Sequence, residues 1–151
     1  MKLGPAIIES TDPLGRPRRL VLRLNSDGMV PFYEQLRAQL SVMVAVGHVL
    51  PGSRLPTIRD MAKDLNLAPG TIARAYREME ADGAVVGRGR RGTFVVDEPP
   101  HSEPLRQRRE RLEMAADHFA FEAQQLGLGR EATHNLLTEA LIRLADAEQF
   151  I

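Results

Sequence analysis

The spacing of hydrophobic positions changes several times along this 151-residue chain, and each change marks an element. Residues 19–24, RLVLRL, alternate Leu20, Leu22 and Leu24 with Arg19, Val21 and Arg23, the two-residue period of a short strand. From Pro31 the spacing becomes three and four. Phe32, Leu36, Leu40, Met43, Val44 and Val46 form one stripe, predicting a helix that Gly47 closes. Leu50–Ser53 is a sharp turn. Thr57 then caps a second helix, with Ile58, Met61, Ala62 and Leu65 as its buried face. Asn66, which tolerates a left-handed backbone, stops that helix, and Leu67 plugs the corner. A third helix runs from Pro69 or Gly70 to Asp82, with Ile72, Ala75, Tyr76 and Met79 inward and Gly83 as its cap. Ala84–Val86 and Thr93–Val96 read as the strands of a hairpin whose tip is Gly87–Gly92.

The flanks are patterned differently. Residues 1–19 carry Gly4, Pro5, Pro13, Gly15 and Pro17 with little periodicity and read as an irregular arm. Arg16, Arg18 and Arg19 in it are either a solvated cluster or a contact to phosphates. Asp97–Ser102 is an acidic, proline-containing break. Beyond it a helix from about Pro104 to Leu126 spaces Leu105, Leu112, Phe119 and Leu126 seven apart, beside Ala115, Ala116 and Ala123. Gly127–Gly129 ends it. The last helix, Arg130 to about Gln149, puts Leu137, Ala140, Leu141 and Leu144 on one face. Two amphipathic helices bury too little to stand alone, so they must pack on the first domain or on another subunit, and dimerisation is the simplest solution. The expected fold class is mainly α with a small β-hairpin. Residues 1–30 form an arm and short strand, 31–97 a winged helix-turn-helix, 98–103 a linker and 104–151 a two-helix dimerisation region.

Composition narrows the function. Apolar residues make up 43% of the chain and charged residues 26%, ordinary for a globular protein. The absence of cysteine excludes disulfides and thiolate metal sites and fits a reducing compartment. The N-terminal stretch lacks the long apolar segment of a signal peptide, and no run is long enough to span a bilayer, so a cytoplasmic protein without membrane contact is expected. The net charge of zero conceals an asymmetry: residues 31–96 carry nine basic and six acidic groups, and residues 103–151 six and nine. Position matters more than total.

The chemistry sits in the central block. A major groove admits one α-helix, and the preceding helix must cross the backbone to hold it there. Residues 57–82 supply that pair, and the hairpin behind them places Arg88, Arg90 and Arg91 in a glycine-rich tip, which suits phosphates or the minor groove. Thr71 opens the third helix. Arg59 faces the helix start that would cross the backbone, although it could instead pair with Asp60 or Asp64. Arg74 and Arg77 either face DNA or pair with Glu78 and Glu80. Catalytic readings find no nucleophile elbow and no phosphate-cradling motif, since GRGRRG lacks the following helix. His118 and Glu122 at helical spacing, with His134, are the nearest approach to a metal set, and no cofactor or metal is expected.

The stretches VPFYEQLRAQL, PGSRLPTIRDMAKDL, GTIARAYREMEADG and GRGRRGTFV closely resemble the DNA-binding domain of GntR-family bacterial transcription regulators, over about residues 22–96. The short tail resembles the YtrA-type branch. The resemblance implies a homodimeric regulator, commonly a repressor, often of transporter genes. By position, Arg59 matches the family's DNA-contacting arginine, Thr71 the polar residue opening the recognition helix, and Gly92 the wing-tip glycine. Many members read VSRGTVREAL where this chain has Pro69 and Ala73 at the arginine positions, so Arg74 stands one place beyond the usual arginine. The expected DNA-facing set is Arg54, Thr57, Arg59, Pro69, Gly70, Thr71, Arg74, Arg77, Arg88, Arg90, Arg91 and Gly92, on a double-stranded inverted-repeat operator. The dimer seam is expected from Leu105, Leu112, Ala116, Phe119, Ala123, Leu126, Leu137, Leu141 and Leu144. A ligand- or metal-sensing regulator, a winged-helix protein-interaction module and a remnant of an enzyme-fused regulator are the rival readings.

Overall fold

A computed structural model describes residues 2–100 and 103–149; His101 and Ser102 of the expected linker lie outside them. The chain divides into two compact units, Met1–Leu105 and Arg106–Ile151.

The stretch expected as an irregular arm is strand β1 (Lys2–Thr11), antiparallel to β2 (Pro17–Asn25) with Ile8 opposite Leu20 and Glu9 opposite Arg19. The prolines and glycines that suggested irregularity build the hairpin instead. Asp12 Oδ1 accepts the N–H groups of Leu14 (2.9 Å) and Arg16 (2.8 Å), an Asx turn, and Gly15 takes φ +82°. Pro17 starts β2, and Pro5 stands opposite Arg23, whose own N–H points away from β1, so no ladder bond is lost there. Leu20, Leu22 and Leu24 are buried, as their alternation requires, together with Ile8.

Helix α1 (Phe32–Ala45) lies along the outer edge of β2 and blunts it. Gln39 exchanges two hydrogen bonds with the backbone of Arg23 (2.9 and 2.6 Å), and Gln35 does the same for Asn25 (2.7 and 2.7 Å). Four helical residues rise about 6 Å and two strand residues about 6.6 Å, so an i,i+4 pair of amides can follow every second residue of a strand. The edge is thereby closed to another strand. Leu36, Leu40 and Val44 of α1 are buried; Val46 falls beyond the last turn and is exposed, against expectation.

Helices α2 (Ile58–Leu65) and α3 (Pro69–Ala81) form the helix-turn-helix. Thr57 caps α2 by accepting the Asp60 N–H at 3.0 Å. Asn66 takes φ +53°, and Leu67 N–H returns to the Ala62 carbonyl at 2.9 Å, turning the corner. Met61, Ala62 and Leu65 are buried, but Ile58 in the first turn projects past the core and is exposed. Ile72, Ala75, Tyr76 and Met79 of α3 join them in one cluster with the hairpin leucines. Strands β3 (Val85–Gly87) and β4 (Thr93–Val95) pair antiparallel as the wing, with a 3₁₀ turn over Gly89–Arg91 at its tip.

The second unit is helical: α4 (Glu103–Gln125), which begins in the last residues of the first unit, and α5 (Arg130–Gln149). Leu105, the last residue of the first unit and the first of the expected seam, is buried. No helix among the described residues is long and apolar enough to cross a membrane.

Candidate nucleic-acid interface

Arg54 organises the site. Its backbone stands between two strands, exchanging hydrogen bonds with Thr11 of β1 (2.9 and 2.8 Å) and bridging to Phe94 of β4. Leu55 N–H donates to Thr93 and Val95 N–H to Ser53, both at 2.9 Å. The N-terminal hairpin and the wing are thus joined through one short segment that leads directly into α2. The Arg54 side chain lines an open groove with Glu9, Thr11, Thr57, Asp60, Lys63 and Asp64. The same side chain lies against Gly92, the corner where the tip re-enters β4. The start of α2 and the corner of the wing therefore share one arginine.

Gly92 is required by this packing. Its φ of +112° with ψ −162° belongs to a region open essentially to glycine, and a Cβ there would sit 2.7 Å from Arg54 Nε. Gly92→Ala is expected to cost about 1–3 kcal/mol in backbone strain and to loosen the tip. Urea unfolding reads the first effect. Faster amide exchange at Arg88, whose N–H donates to the Gly92 carbonyl at 2.8 Å, reads the second. Wild-type values for both would mean that Arg54 yields without cost.

The arginines differ in how they are held. Arg59, Arg77, Arg90 and Arg91 are exposed and make no side-chain ion pair among the described residues. Neither Asp60 nor Asp64 takes Arg59. Arg88 lies over the Phe94 ring at 5.0 Å, on the wing itself. Arg74 Nε lies 3.7 Å from Glu78, and its guanidinium sits 3.7 Å from the centre of the Tyr33 ring in α1. Thr71 is half-buried, and Pro69 and Gly70 are exposed in the first turn of α3, where Ala68 offers no side-chain cap. Thr57 uses its oxygen for the cap and keeps its hydroxyl proton for another acceptor.

Arg37 fastens α1 to α3. It pairs with Glu34, with Glu78 (3.5 Å) and with Asp82 (3.1 Å), and its pKa is raised above the ordinary range, first by the Glu34 hydrogen bond. Sequence reasoning missed this clamp and the Tyr33 contact, because both link residues more than 40 positions apart. Tyr33 carried one available signal: it is an aromatic residue beside, rather than on, the apolar stripe of its helix.

In the second unit the expected seam residues Leu112, Ala116, Phe119, Leu126, Leu137, Leu141 and Leu144 are exposed, and Ala123 is buried. Phe119, Leu128, His134 and Leu137 line an open hollow there. His118 Nε2 stands 4.0 Å from Glu122, and no group of three or more metal-ligating side chains occurs among the described residues.

Residues 32–95 match the family described as "Bacterial regulatory proteins, gntR family". The chain is 38% identical over 117 residues to the HTH-type transcriptional regulator Rv1152 of Mycobacterium tuberculosis, covering 78% of this chain and 91% of that protein. It is 29% identical over 77 residues to the HTH-type transcriptional repressor YtrA of Bacillus subtilis, covering 51% and 59%. Among solved structures, a YtrA of Sulfolobus acidocaldarius, a GntR-family transcription factor, superposes with a TM-score of 0.47 at 21% identity, covering 82% and 99%. The chain belongs to the gntR family of bacterial regulatory proteins and is a DNA-binding transcription regulator built on a winged helix-turn-helix.

Proposed function

We propose that the chain represses transcription as a homodimer that grips an inverted-repeat operator, with one winged helix-turn-helix on each half-site. The observation that carries this reading is the convergence on Arg54. One side chain touches the wing corner at Gly92 and shares a groove with Thr57, so the start of α2 and the wing work as one surface. Exposed Arg59, Arg90 and Arg91, without an ion-pair partner among the described residues, belong to those two elements, as an anionic backbone requires. Pro69, Gly70 and Thr71 open α3 without a side-chain cap, which suits a phosphate at the helix start. Arg77 projects from the exposed side of the same helix.

Dimer formation is supported by the apolar residues left exposed on α4 and α5, and repression by the similarity to a YtrA repressor. A two-fold protein calls for a two-fold operator. Selection from genomic fragments at physiological salt, followed by gel shifts, tests the whole reading. Arg59→Ala is expected to weaken the selected operator by about 1–3 kcal/mol if it reads a base edge. Unchanged affinity removes Arg59 from the interface. A protein-interaction module would show no salt-sensitive DNA binding at all.

A further inference from the structure

Arg74 is held differently from the other arginine of α3. Arg77 has no side-chain partner among the described residues, whereas the Arg74 guanidinium is held from two sides. The Tyr33 ring lies 3.7 Å from its centre, and Glu78 Oε1 lies 3.7 Å from its Nε. A guanidinium is flat and carries five donors around its rim. The ring occupies one face and Glu78 the Nε side. The two terminal amino groups, the fork that grips an oxyanion from two sides, have no partner among the described residues. The side chain remains 53% exposed.

The Glu78 contact is too long for a hydrogen bond, and that carboxylate also answers Arg37 at 3.5 Å. The aromatic ring is therefore what fixes the plane of Arg74. A long, rotamer-rich side chain already held in one orientation loses little further freedom when a ligand arrives. In a helix-turn-helix the first turn of the recognition helix meets base edges. Arg74 lies a turn later and leans towards Tyr33 of α1.

We propose that Tyr33 is a positioning residue: it pre-sets the Arg74 fork for a backbone phosphate of the operator, so that α1 serves DNA binding without touching DNA. This rests on the DNA-facing surface proposed above. It also gives the displaced arginine a task other than base reading.

The test is fluorescence anisotropy of the full chain on its selected operator and on a random duplex, across a salt series. Arg74→Ala should weaken both duplexes several-fold and lower the slope of log affinity against log salt by about one. Tyr33→Leu should weaken both about 2- to 5-fold with the slope kept, because the charge stays and only its placement is lost. Tyr33→Phe, which keeps the ring, should recover the loss. In an Arg74→Ala background Tyr33→Leu should have no further effect. Arg74→Lys, with charge but no flat fork, should keep the slope and be insensitive to Tyr33→Leu. An unchanged slope in Arg74→Ala, or a Tyr33→Leu loss of equal size in both backgrounds, overturns the proposal while leaving the DNA reading intact. A wild-type chain that selects no sequence overturns that reading and this inference with it.

Discussion

Phe119→Asp is expected to turn the proposed dimer into monomers and to remove most of the affinity for its proposed two-fold operator. The second unit has almost no interior of its own. Among its described residues Ala123 is the one buried apolar side chain, while Leu112 (69%), Leu126 (77%) and Leu141 (58%) stand largely in water. Two helices without a shared core are not stable as a unit, and in the proposed dimer a second copy supplies the missing surface. Phe119 stands at the centre of the seven-residue series and lines the hollow with Leu128, His134 and Leu137. A carboxylate placed there would be desolvated without a partner, at a cost of several kcal/mol. Losing the second DNA-binding unit removes a gain in affinity on the order of 10²–10⁴. Sedimentation equilibrium reads the assembly and anisotropy the affinity. Met114→Asp is the control. Met114 is also exposed but, at about 100° per residue, faces away from Phe119 around α4, and it should leave the dimer intact. A dimeric Phe119→Asp protein would sink the proposed seam.

What the sequence made legible is local. Ile72, Ala75, Tyr76 and Met79 follow from period alone, and Thr57, Asn66 and the wing strands from residue chemistry within three or four positions. The failures share a cause. β1 was unreadable because its proline, Pro5, lies where no ladder bond is needed, and only the register with β2 shows that. Its companion edge is closed by Gln35 and Gln39, polar residues on a helix whose pattern gives no sign of a strand nearby. Ile58 and Val46 fit their helical stripes yet sit at helix ends, where the stripe outruns the core. In the site, the arginines were identifiable by type, but their states were not. Whether an arginine is free, like Arg59, or seated on an aromatic ring, like Arg74, is decided by residues far away in the chain.

Tyr76→Ala is expected to have the largest effect on the fold. Tyr76 is 5% exposed, and its hydroxyl donates to the Pro56 carbonyl at 2.6 Å, with Met61 Sδ at 3.8 Å. It therefore ties α3 to the segment that sets the start of α2. Removing the ring empties the core between the two helices, at about 3–5 kcal/mol. A domain of this size has roughly 5–15 kcal/mol in all, and the thermal midpoint should fall by roughly 10–25 °C. Tyr76→Phe keeps the ring and strips the Pro56 carbonyl of its donor, for about 1–3 kcal/mol. The same pair of variants separates a pH effect. Burial pushes the Tyr76 phenol well above its ordinary range. An unfolded tyrosine ionises near pH 10, so the stability that depends on the neutral phenol is complete below that pH. It is lost as the pH climbs from there towards the folded value. Wild-type protein should thus lose stability above about pH 10 more steeply than Tyr76→Phe. Parallel alkaline profiles would mean that the hydroxyl is not buried, and that α3 is fixed to α2 by packing alone.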